Sequence, residues 1–161
     1  MIVRPNLRFL LAHPAHFIAL GFGAGLAPVA PGTAGTLLAF PIFMMLYRVL
    51  QPLELLGLIA VLFVIGIWAC ARAGAALGVP DHGGMVWDEI VAFLLILLFT
   101  PATLGWQAFA FVAFRIFDVL KPAPIREVDR HWKGGFGVMF DDIIAAGYSL
   151  LVIAIAKRLV G

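Results

Sequence analysis

Five of the nine carboxylates in this 161-residue chain, Asp88, Glu89, Asp118, Asp141 and Asp142, stand beside or inside strongly apolar segments. Asp88-Glu89 and Asp141-Asp142 are adjacent pairs that open apolar runs. Adjacent helical residues point about 100° apart, so in each pair one acid can cap the helix or face outward while the other turns inward. Capping alone is an adequate explanation for either pair taken singly, because acids complement free N–H groups and the dipole at a helix N-terminus. Convergence is the stronger argument. Three helices that each deliver a carboxylate to one level make an oxygen-rich site for a hard cation such as Mg²⁺, which takes one or two carboxylates together with waters and substrate phosphate.

Arg115 and Asp118 sit three apart in FRIFDVLKPAPIR. An ionised side chain at bilayer depth costs on the order of 2.5–3.5 kcal/mol, so both must face something. They share a helix face and could simply neutralise one another. Alternatively, Asp118 joins the carboxylates, while Arg115 clamps a phosphoryl group with its fork and Lys121 does so as a point charge. The proline behind Lys121 stops the helix there. A second anion-binding element is the run PVAPGTAGT at 28–36, whose residues Gly32, Thr33, Gly35 and Thr36 lead into a helix N-terminus. An ordinary Pro/Gly turn would read the same way. His82, in a flexible polar loop, is more simply a solvated histidine, and Gly134-Gly135-Phe136-Gly137 is too loose for a nucleotide fingerprint.

The elements that must position these groups are apolar helices. Continuous apolarity marks spans or near-spans at 35–50, 53–71, 88–104 and 141–160, with a fifth helix at 106–120. The fifth reaches only about 22 Å at 1.5 Å per residue. Residues 15–30, interrupted by Gly21, Gly23, Gly25 and Pro28, are expected to lie at the interface or re-enter. The expected fold is therefore an all-α, polytopic membrane bundle of about four to five transmembrane helices plus that N-terminal segment, in one domain over 1–161. Trp87, Trp106 and Trp132 fit an interfacial aromatic belt.

Composition agrees: 63% of residues are apolar and 12% charged, far outside the soluble range. The net charge of +2 gives no case for nucleic acid, and the single cysteine, Cys70, excludes an intrachain disulfide. Threading the five helices in order puts the long loops on one side with Arg4, Arg8, Arg72, Lys121, Arg126, Arg130 and Lys133. Arg48, Lys157 and Arg158 fall on the other side. That asymmetry predicts cytoplasmic long loops. Every acid except Glu54 also falls on or near the long-loop side, and carboxylates do not set topology. The sequence has no Cys followed six residues later by Arg, no Asp-x-Asp-x-Thr and no Ser-Gly-His, which leaves a metal-assisted route for any phosphatase chemistry.

GFGAGLAPVAPGTAGT at 21–36, GVPDHGGMVWDE at 78–89, FRIFDVLKPAPIREVDR at 114–130 and GGFGVMFDDIIAAG at 134–147 together resemble the phosphatidylglycerophosphatase A family. The resemblance covers almost the whole chain, without departure at a charged motif position. It implies a Mg²⁺-dependent phosphatase in the bacterial inner membrane that converts phosphatidylglycerophosphate to phosphatidylglycerol. On that footing Asp88, Glu89, Asp118 and one or both of Asp141 and Asp142 would hold one or two Mg²⁺. Arg115, Lys121 and the 32–36 turn would hold the phosphate oxygens, and Arg126 would be a weaker candidate for the inner phosphodiester. Attack by water and attack by a carboxylate to give an aspartyl phosphate are both open. The competing expectation is a small transport or ion-conducting protein with charges lining a pathway, which would carry polar groups through to the Glu54 side.

Overall fold

The computed structural model describes residues 4–160, and every regular element among them is helical. In chain order these are α1 (Leu7–Ala12), α2 (Pro14–Ala19), a 3-10 segment (Gly21–Leu26), α3 (Pro31–Tyr47), α4 (Pro52–Leu77), α5 (Trp87–Phe99), α6 (Leu104–Leu120), α7 (Ile125–His131) and α8 (Gly135–Val160). Two of them, α4 and α8, are long and apolar enough to cross a membrane; α3 is apolar but shorter.

The 13-residue helix α5 is the hub. It packs against α3, α4, α6 and α8, and ten of its residues are buried, including Asp88 and Glu89 in its first turn. It is shorter than the 88–104 run suggests, because Thr100 is already extended and Pro101 follows. Conversely, α4 continues past Arg72 to Leu77, where Gly78 ends it in a left-handed conformation (φ 80°). Residues 15–30 form two six-residue pieces, α2 and the 3-10 segment, each far too short to span. They brace the approach to α5: the Val86 N–H donates to the Ala19 carbonyl (2.8 Å).

Asp141-Asp142 do not open the last helix, which starts six residues earlier at Gly135. The glycines that make 134–137 look like a loop are required by packing: a Cβ on Gly135 would overlap the Ile67 carbonyl oxygen of α4 and stand 2.8 Å from the Ala71 nitrogen. Nor does Trp87 belong to an aromatic belt. It is 5% exposed, and its indole N–H donates to the Leu62 carbonyl (3.0 Å). The stretch between α6 and α8 is not all loop either, since it holds α7, which packs on α8.

Both neighbours of Gly135 are backbone atoms in a helix and cannot swing away. Gly135→Leu should therefore cost about 2 kcal/mol or more of stability, read as a lowered melting temperature in detergent. Wild-type melting by that variant would contradict the α4–α8 packing.

Candidate active site

The start of α3, the start of α5, the end of α6 and the second turn of α8 meet at one end of the bundle. Asp88, Glu89 and Asp142 each bring one carboxylate oxygen into a group whose members all lie within 4.8 Å of one another. Asp88 is 8%, Glu89 9%, Asp141 3% and Asp142 2% exposed. One oxygen on each of these four (Asp88 Oδ1, Glu89 Oε2, Asp141 Oδ1, Asp142 Oδ2) is buried without a hydrogen-bond partner among the described residues. Leaving a buried anion uncompensated costs several kcal/mol, and three such oxygens on the clustered Asp88, Glu89 and Asp142 are an arrangement that a cation relieves. The donors suit a hard divalent cation, which takes carboxylate oxygens.

Asp118 stands one step away from this group. It accepts a hydrogen bond from Arg115 Nη1, and the same nitrogen lies 3.8 Å from Glu89 Oε1. Arg115 thus bridges the two acids rather than merely neutralising Asp118. Gly32, in the first turn of α3, completes this corner. A Cβ there would overlap Glu89 Oε1 and stand 3.1 Å from both terminal nitrogens of Arg115, so only glycine lets the α3 N-terminus come this close. No side chain among the described residues caps α3, and its first intrahelical bond is donated by Ala34 to Ala30. The N–H groups of Gly32 and Thr33 therefore have no carbonyl within the helix.

Lys121 ends α6 in the left-handed region (φ 43°), a conformation costing a non-glycine residue roughly 1–2 kcal/mol. Pro122 disfavours the right-handed alternative. From there Nζ donates to Asp141 Oδ2 (2.6 Å) and lies 3.3 Å from Asp129 Oδ1. Burial opposes the Lys121 charge, but the hydrogen bond and charge of Asp141 outweigh it and push its pKa above the ordinary lysine range. The acidic pair on α8 is thereby divided: Asp142 joins Asp88 and Glu89, and Asp141 pairs with Lys121.

Other expected residues lie differently. Gly35 packs against Val86, and the Thr36 hydroxyl is buried and donates to the Gly32 carbonyl (2.9 Å). Arg126 is exposed on α7 and forms no ion pair among the described residues. His82 is a turn residue whose Nδ1 accepts from the Gly84 N–H. Asp129 enters the site unannounced. It lies eight residues beyond Lys121, and only the unforeseen helix α7 turns it back.

Fold and site together define an all-helical protein of membrane-protein composition, with buried carboxylates and two cationic side chains gathered at one end of its bundle. The chain belongs to the phosphatidylglycerophosphatase A family, whose model matches residues 17–157, and it is an enzyme of the phosphatase class. It is 41% identical to the phosphatidylglycerophosphatase A of Haemophilus influenzae, with 92% of each chain covered. It is also 41% identical to that of Escherichia coli K12, over 86% of this chain and 80% of the relative. A Bacteroides thetaiotaomicron protein provisionally named a phosphatidylinositol-3-phosphatase is 42% identical over 89% of this chain and 94% of its own. No solved structure matches.

Gly32→Val should displace both Glu89 and Arg115. A misplacement of about 1 Å can cost roughly 10²-fold in rate, so phosphatase turnover should fall by about that factor, with a smaller loss for Gly32→Ala. Unchanged turnover in the valine variant would remove Gly32 from the site.

Proposed function

We propose that the protein hydrolyses the terminal phosphate monoester of phosphatidylglycerophosphate, giving phosphatidylglycerol and inorganic phosphate. In this reading α3, α4, α5, α6 and α8 lie within the bacterial inner membrane and the site faces the cytoplasm. The observation that carries the reading is the buried Asp88–Glu89–Asp142 group with its unpartnered oxygens. Those three carboxylates would hold Mg²⁺. When bound there, it supplies charge neutralisation for the phosphate and activation of water.

The chain's own groups account for the remainder. Arg115, oriented by Asp118 and Glu89, presents its outer N–H groups to non-bridging phosphate oxygens. The uncapped N–H groups of Gly32 and Thr33 add dipole and hydrogen-bond stabilisation for the same anion. Lys121 holds Oδ2 of Asp141 and leaves Oδ1 to take the proton of the attacking water. Thr36 and Gly35 support this surface from behind, and Arg126 is free to meet the substrate's second phosphate. The site lies at the end of the apolar helices, where a lipid-borne phosphate would be. A soluble ester would gain nothing from that placement.

A transport role has less support. The buried acids gather at one end of the fold, and Glu54 at the opposite end accepts the Gln51 N–H (2.8 Å) as a helix cap instead of lining a path.

Phosphate release from phosphatidylglycerophosphate in detergent should be abolished by EDTA and restored by Mg²⁺. Full activity in EDTA, or release only from phosphatidylinositol 3-phosphate, would overturn the assignment. Asp118→Asn should lower kcat by about 10²–10³-fold, the scale for losing one preorganised electrostatic group, while the protein still inserts and folds. Quenching single turnovers of substrate labelled with ³²P in its terminal phosphate should leave no label on the protein. Acid-stable, hydroxylamine-labile ³²P on the protein would establish an aspartyl phosphate intermediate instead.

A further inference from the structure

The exposure of the site's side chains shows from which direction it can be reached. Asp142 is 2% exposed as a residue. The side chains of Glu89 and Asp118 are 12% exposed, that of Arg115 18% and that of Lys121 25%. Access therefore opens along α6. On that side α3 and α6 each pack on α5, and they make little contact with each other.

Each of these three helices changes character at the same depth. One turn deeper than Glu89 on the same face of α5 is Phe93. One turn deeper than Arg115 on α6 is Phe111, and two turns beyond Gly32 on α3 is Phe40. The rings form a continuous layer. Phe40 and Phe93 meet edge to face with centroids 5.1 Å apart, Phe93 and Phe111 do so at 6.1 Å, and Phe40 and Phe111 lie 6.3 Å apart across the gap between their helices. Phe93 is fully buried, whereas Phe40 and Phe111 are only partly so. Leu37, three residues before Phe40 on α3, and Val112, next to Phe111 on α6, are apolar and exposed.

One apolar groove of about 450 Å³, between α4 and α8, is lined by residues that include Leu56, Phe63, Val64 and Phe136. It does not reach the carboxylates. Trp87 and Met139, both buried, close in on Gly66 between the two helices.

Resting on the function proposed above, we infer that the gap between α3 and α6 is the lateral portal for the lipid substrate. The diacylglycerol end lies on Phe40 and Phe111 while the phosphate monoester reaches Arg115. The aromatic layer is then both the floor of the polar site and the specificity element for a membrane-borne ester. It seals the acids from hydrocarbon and sets the depth at which the headgroup stops.

The test is phosphate release from phosphatidylglycerophosphate in mixed detergent micelles, with KM expressed as surface mole fraction. Removing a ring that covers substrate apolar surface should weaken ground-state binding. Phe111→Ala should accordingly raise KM about tenfold with kcat within about threefold of wild type. Phe111→Leu should recover most of that loss, and Val112→Trp, which narrows the gap without touching the site, should also raise KM. Phe63→Ala in the sealed groove should leave both constants within about twofold. The inference is overturned if Phe111→Ala lowers kcat with KM unchanged, or if Phe63→Ala raises KM as much as Phe111→Ala does. It is also overturned if Val112→Trp has no effect in a variant whose melting temperature is unchanged. A wild-type protein that releases no phosphate in Mg²⁺ refutes the proposed function itself, and the portal falls with it.

Discussion

Carboxylates buried together, each with one oxygen left unpaired, impose the condition on which the rest of this structure depends. Asp88, Glu89 and Asp142 approach within 4.8 Å in surroundings that leave one oxygen on each unpaired. Like charges at that separation repel, and burial removes the water that would screen them. Apolar packing alone gives no reason to collect them. The arrangement makes sense as a site held ready for a cation, kept in place by a scaffold whose other contacts are strong enough to tolerate the repulsion.

The scaffold meets that requirement through close backbone approach. Gly135 lets α8 lie against the backbone of α4, and Gly32 lets the α3 N-terminus reach Glu89 and Arg115. The buried helix α5 is clasped on four sides, which fixes the two acids of its first turn. Around this centre the cations are themselves oriented by acids, Arg115 by Asp118 and Glu89, and Lys121 by Asp141 and Asp129. Arg115 and Lys121 are thus held in place by their acidic partners, which matters because groups already positioned need no rearrangement during the reaction.

Much of this was legible in the sequence. Ionisable residues in apolar runs are costly enough to be conspicuous, so Asp88, Glu89, Arg115, Asp118 and the Asp141-Asp142 pair could be singled out and assigned to one end of a helical bundle. Helix limits were less legible where glycine serves packing instead of a turn. Gly135 and Gly137 hide the first turns of α8, so Asp141-Asp142 looked like a cap when they lie in the second turn. The division of labour between those two acids, and the part played by Asp129, depend on where α7 folds back. A seven-residue helix in a polar stretch leaves too weak a periodic signal to read. Trp87 looked interfacial from its place at a helix start, and only the packing of α4 shows that its indole is buried.

If Asp88, Glu89 and Asp142 together hold a divalent cation, its binding depends on all three carboxylates. The most direct measurement is the binding of Mn²⁺, as a paramagnetic substitute for Mg²⁺, to metal-stripped protein by electron paramagnetic resonance. The wild-type protein should bind Mn²⁺, with Mg²⁺ competing for it, and Asp142→Asn should lose that binding while keeping its helical content. Equal binding by the two proteins, or none by the wild type, would contradict the account.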